Sequence, residues 1–156
     1  MANIVRKWRK FMAVGCTHGH LADQDLLSQV LAFEERWKPH TRIHLGDAID
    51  LACLRAGAIG TPDDAADPEG DLSDGLAFIS RFRPQVYLLG NHEARLTSLI
   101  ESPRAIVSAL ASRIYQQIQN RCKEIRCDVV PYNFQNGWRQ FGDCLFGHGY
   151  MVNEAA

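Results

Sequence analysis

Short apolar runs that end in glycine alternate along this chain with stretches whose apolar residues recur every three or four positions. Phe11-Met12-Ala13-Val14-Gly15 is the first such run and reads as a buried strand. Asp23 then offers an N-cap, and Leu26, Val30, Phe33 and Trp37 follow at helical spacing until Pro39 ends the helix. Thr41 to Leu45 reads as a second strand closed by Gly46, with a short helix expected through Leu51 to Ala56. The stretch from Gly57 to Asp74, rich in proline, glycine and aspartate, predicts a surface loop. Leu72, Leu76, Ile79 and Phe82 form a helix stripe that Pro84 terminates, and Gln85 to Leu89, closed by Gly90, is the third strand.

Helical spacing resumes from Glu93 to about Ile100. Ser102 and Pro103 then read as N-cap and first residue of a longer helix, with Ile106, Leu110, Ile114 and Ile118 on its buried face. Ile125 to Val130 predicts a further strand, and Trp138 to Phe141 and Cys144 to Gly147 predict two short ones about a Gly142-Asp143 turn. Strands alternating with helices predict one α/β domain, residues 1–156, with a mainly parallel first sheet. Ligands of such sheets lie beyond the carboxyl ends of the strands.

Composition narrows the partners more than the fold. A formal net charge of −1 over 156 residues gives no general attraction for polyanions or acidic membranes. The basic run Arg6, Lys7, Arg9 and Lys10 around Trp8 reads as a solvated edge before the first strand. No apolar run approaches the roughly 20 residues needed to cross a bilayer, so no membrane partner is expected. Five cysteines, an odd number, and no secretory signal point to a reducing, cytoplasmic setting rather than a disulfide framework.

Chemistry collects at the strand ends, in Gly15-Cys16-Thr17-His18-Gly19-His20, Gly46-Asp47-Ala48-Ile49-Asp50, Gly90-Asn91-His92-Glu93 and Gly147-His148-Gly149. Each cluster alone is ordinary turn chemistry. Together they repeat metal-competent side chains where a merely structural sheet needs only turn residues.

In this order and spacing the clusters resemble the motifs of the calcineurin-like metallophosphoesterases: Asp-x-His, Gly-Asp-x-x-Asp, Gly-Asn-His-Asp/Glu, a His, then Gly-His-x-His. The resemblance runs from about Phe11 to Gly149. It implies an α/β sandwich and hydrolysis of a phosphomonoester or phosphodiester by a water activated between two divalent metals. It further implies that Cys16 and His18 hold the first metal, that Asn91 and His148 hold the second, and that Asp47 bridges them. His92 would face the phosphate and stabilise or protonate the leaving oxygen.

The residues around these admit plainer readings. Glu93 reads as a helix start more than as a partner of His92, and Asp50 as either a support of the site or an N-cap. Arg95 suits a phosphate or a solvated helix face. His20 reads as a loop side chain, His44 as core, and Cys53, Cys122, Cys127 and Cys144 as packing residues.

Two features depart from the family pattern. Cys16 stands where most of the family has Asp, as it does in the similar lariat debranching enzymes. A thiolate favours zinc or iron, with manganese still possible. The chain also ends at Ala156 without the Gly-His-x-His motif. That predicts an incomplete second sheet, an open edge suited to a homo-oligomer, and, as the alternative to a working enzyme, a metal-binding regulatory protein of the same fold. The partner expected otherwise is a phosphorylated substrate of unspecified class.

Overall fold

The structure, a computed structural model, describes residues 9–149. Arg6, Lys7 and Trp8 of the basic run lie outside the described residues.

Ten regular elements follow in chain order: β1 (Phe11–Val14), α1 (Gln24–Trp37), β2 (Thr41–His44), α2 (Pro68–Phe82), β3 (Val86–Leu88), α3 (Asn91–Ile100), α4 (Ala105–Glu124), β4 (Asp128–Val130), β5 (Arg139–Phe141) and β6 (Cys144–Phe146). The first four strands form one sheet in the order β1-β2-β3-β4, and every pairing in it is parallel. β5 and β6 form a separate antiparallel hairpin. The expected mixed α/β architecture with a parallel first sheet and flanking helices is present.

Strand alternation divides the core between two faces. Ile43, Val86, Leu88 and Val130 point to one face, where they pack with Phe141 and Phe146 of the hairpin. Tyr87, Leu89 and Val129 point to the other. There they meet Leu72 and Ile79 of α2, Leu96 of α3, and Ala111, Ile114, Ile118 and Cys122 of α4. α1 joins through Leu31, which packs with Phe78 and Phe82 of α2. Because all four strands of the main sheet run the same way, their carboxyl ends share one edge.

Several boundaries differ from the sequence expectation. The loop expected over 57–74 ends at residue 67: the Asp67 side chain caps α2 by accepting from Glu69 N–H, and Pro68 opens the helix. A proline that looks like loop chemistry is here helix-start chemistry, since the first helical turn needs no N–H from it. The helix expected through Leu51 to Ala56 is one 3₁₀ turn, Ala52–Leu54. α3 starts at Asn91 with Gly90 as N-cap.

α4 starts at Ala105, not at Pro103, while Ser102 Oγ accepts from Arg104 N–H ahead of it. Ile106 is 77% exposed; the buried stripe is Ala111, Ile114, Ile118 and Cys122. In α1 the N-cap is Asp23, as expected, but Leu26 and Phe33 are exposed. Val30 of the expected stripe does turn inward, joined by Leu27 and Leu31. Apolar residues surround more than one face of that helix, so spacing alone does not select the buried one. Among the described residues no helix is long and apolar enough to cross a membrane.

His44 is fully buried in β2, as its expected core role requires. Gly46 N–H donates to Nδ1 at 3.3 Å, and Nε2 lies 3.4 Å from Thr17 Oγ1, so the neutral ring uses both nitrogens. Burial, opposed by the charge of Asp47 and aided by that of His148, pulls its pKa down to about 3. An unfolded histidine titrates near 6.5. Between those values the unfolded chain binds the extra proton and the folded one does not. Stability attributable to His44 is therefore complete above about pH 6.5 and falls by up to about 1.4 kcal/mol per unit as pH drops towards 3. Denaturant melts at pH 7 and 5 check this: the loss is expected to shrink in His44→Gln, and an unchanged loss would refute the assignment.

Candidate metal centre at the strand ends

The loop after β1 carries Cys16 and His18, the loop after β2 carries Asp47 and Asp50, and the N-terminus of α3 carries Asn91 and His92. The hairpin delivers His148. The first two loops are bound to each other by backbone hydrogen bonds from Cys16, His18 and Gly19 N–H to the carbonyls of Gly46, Asp47 and Ala48, at 2.9, 3.0 and 2.9 Å.

The backbone there is strained. Cys16, His18, Asp47 and Leu51 all adopt the left-handed region, with φ of 55°, 49°, 51° and 53°. None of these four is glycine, and L-residues held in that region persist only where surrounding structure dictates it. Two glycines supply close approach. A Cβ at Gly90 would meet Asp47 Oδ1 at 2.0 Å, and one at Gly46 (φ 106°) would meet His148 Nδ1 at 2.5 Å.

All five expected ligand residues come together, with Asp47 at the centre. His148 Nδ1–H donates to the Leu45 carbonyl at 2.6 Å, which leaves Nε2 facing Asp47 Oδ2 at 3.2 Å and Asn91 Oδ1 at 3.1 Å. Three lone-pair atoms thus meet at one point, an arrangement satisfied by a cation, whether proton or metal ion. Cys16, Asp47 and His148 offer donor atoms within 4.8 Å of one another, and so do His18, Asp47 and His92. The atoms therefore group across the partition that the resemblance implies: Cys16 lies with His148, and His18 with His92. A thiolate, imidazoles and a carboxylate make a donor set suited to a borderline divalent ion such as zinc or iron.

Electrostatics follow from this crowding. Burial pushes the Asp47 carboxyl up, but hydrogen bonds from His148 and the His92 backbone N–H outweigh it and hold its pKa below the usual value. The hydrogen bond to Asp47 raises the His148 pKa against the opposing effect of burial. Burial, then the charges of Asp47 and Glu93, raises that of the Cys16 thiol. Metal uptake must displace these protons, as ligation by thiolate and neutral imidazole requires.

The histidines are oriented from behind. His18 Nδ1 lies 3.0 Å from Asp50 Oδ1, and His92 Nδ1 lies 2.7 Å from the Asp50 carbonyl oxygen. Both acceptors draw the proton to Nδ1 and leave Nε2 free, the usual arrangement behind a metal-bound imidazole. Asp50 therefore supports the site; the N-cap of the 3₁₀ turn after it is Leu51.

Two residues have roles larger than the sequence suggested. Glu93 is completely buried and accepts from Gly90 N–H (2.8 Å), Asp47 N–H (3.0 Å), Ala48 N–H (2.8 Å) and Tyr87 O–H (2.6 Å). It starts the helix, as expected, and also fixes the Asp47 loop. Burial first, and Glu93 second, hold the Tyr87 hydroxyl protonated well above its usual range. The Arg95 guanidinium, half-buried, donates to the carbonyls of Asp50 and Leu51 at 3.2 and 3.0 Å. His20 pairs with Asp71 at 3.1 Å on the loop flank.

Donors able to hold a metal ion converge on Asp47 at the carboxyl edge of the parallel sheet of an α/β protein. A family model, calcineurin-like phosphoesterase, matches residues 9–152. The chain belongs to that family, whose members hydrolyse phosphoesters with bound divalent metals. Comparison with curated proteins gives no match. Comparison with solved structures gives none either.

Proposed function

We propose that this chain hydrolyses a phosphomonoester or phosphodiester at the Asp47 centre, with Cys16, His18, Asp47, Asn91 and His148 as metal ligands and His92 as the catalytic residue. The observation that carries this reading is the convergence of donor atoms of Cys16, His148 and His18 on the Asp47 carboxylate, each within 4.8 Å of it, with His92 beside them. That sharing suits a pair of ions, zinc or iron by the softness of Cys16. Bound there, divalent ions supply an activated water near neutral pH and positive charge for the phosphoryl oxygens.

The remaining chemistry belongs to the side chains. Asp47 Oδ1 is anchored by the His92 backbone N–H at 3.0 Å, which aims Oδ2 at His148. His92 keeps its Nδ1 proton on the Asp50 carbonyl, so Nε2, 3.9 Å from Asp47 Oδ2, faces the site; a second proton held there would be the one given to the departing oxygen. Asn91 Oδ1 and Cys16 Sγ, both on exposed residues, leave the site open on the side where a substrate must enter.

His92→Ala tests the division of labour. Turnover of bis(p-nitrophenyl) phosphate is expected to fall by about a hundredfold or more while bound metal is retained. Loss of metal from this variant would move His92 from the catalytic group to the ligands.

A further inference from the structure

The two loops that carry the centre are joined by a residue outside every motif. Asp71 lies in the first turns of α2 and is 1% exposed. Its Oδ2 accepts from the N–H groups of Asp50 and Leu51 at 2.9 and 2.6 Å. Its Oδ1 accepts from His20 N–H at 3.4 Å and faces His20 Nδ1 at 3.1 Å. Gly19 lies so close that a Cβ there would meet Asp71 Oδ1 at 2.0 Å. One carboxylate therefore grips the loop after β1 with one oxygen and the loop after β2 with the other.

The Asp50–Leu51 turn is held from both sides. Asp71 takes its N–H groups, while Arg95 takes its two carbonyls and His92 takes that of Asp50. Leu51 is left-handed at φ 53°, so the turn needs such restraint to persist. The side chain presented by that turn is Asp50, which orients His18 at 3.0 Å and lies 3.3 Å from His92 Nδ1.

We infer that Asp71 is a positioning residue for the metal centre, acting through Asp50 to aim the His18 and His92 imidazoles. This rests on the metal-site reading above. Asp71→Asn keeps the size of the side chain but replaces one accepting oxygen with an amide that faces N–H donors. Asp50 is one step removed from a metal ligand, where groups are commonly worth about ten- to a hundredfold in metal affinity; Asp71, a step further back, is worth less.

Cobalt(II) titration of the full chain, followed by its ligand-field and thiolate charge-transfer bands, tests this. Asp71→Asn is expected to bind Co²⁺ roughly three- to tenfold more weakly, less than the loss at Asp50, and to shift the ligand-field bands. In a cycle with Asp50→Asn, the double variant is expected to be no weaker than the weaker single, because both act along one path. Asp67→Asn, at the cap of the same helix, lowers thermal stability without moving affinity or bands. If Asp71→Asn does not fold, Asp71→Glu, which keeps both oxygens, carries the same titration and cycle. Unchanged affinity and bands, or fully additive losses in the cycle, would overturn the inference and leave the metal site intact. A wild-type chain that takes up no Co²⁺ would overturn both together.

Discussion

Asp47→Ala is expected to lose bound metal and hydrolysis together, with activity falling by more than about ten-thousandfold. The size follows from position. Asp47 is the only residue shared by the two donor groups, so its removal dismantles both, whereas a group behind a ligand is worth about ten- to a hundredfold. Nor can a neighbour take its place. Its carboxylate occupies the space that the missing Cβ of Gly90 leaves and is fixed by the His92 N–H. Metal analysis and turnover, measured on the same folded preparation, check the prediction. If Asp47→Ala kept the metal content of His92→Ala, the central position given to Asp47 would be wrong.

Glu93 is the second site of large effect, and here the effect is on stability. Its carboxylate satisfies four buried N–H groups, of Asp47, Ala48, Ile49 and Gly90, and the Tyr87 hydroxyl. Truncation leaves these donors without an acceptor, at about 1–3 kcal/mol for each one that water cannot reach. Glu93→Ala is expected to lose more than about 4 kcal/mol, a large share of the 5–15 kcal/mol typical of whole domains. In a chain of this size that lowers the melting temperature by roughly 10 °C or more. Glu93→Gln keeps one accepting oxygen and should fall between. A melting temperature for Glu93→Ala within about 3 °C of wild type would show that the buried network carries little of the fold.

The elements that place the centre were legible because their signals are local. β1 runs straight into Gly15, β2 and β3 meet Gly46 and Gly90 after one further leucine, and the residues after each glycine reach the same edge because the sheet is parallel. The clusters were legible in this way; the choice of Cys16, His18, Asp47, Asn91 and His148 within them came from the family resemblance, and the structure brings those side chains close together.

What was not legible depends on contacts across the chain. Asp71 lies 20 residues from the Leu51 amide that it binds, inside a segment whose prolines and glycines look like loop. The work of Glu93 on the Asp47 loop spans 46 residues and has no periodic signature. The grouping of Cys16 with His148 depends on where the hairpin returns to the sheet edge, which no spacing encodes. Ile106 was expected inside because it continues the helical stripe of Ile114 and Ile118, but only those two, with Ala111 and Cys122, are buried on α4.

The most direct test of the account is to purify the chain, measure bound metal, and assay bis(p-nitrophenyl) phosphate with added Zn²⁺, Fe²⁺ or Mn²⁺. The account predicts uptake of metal, hydrolysis that depends on it, and loss of both in Asp47→Ala. A folded wild-type chain that binds none of the three ions would contradict it.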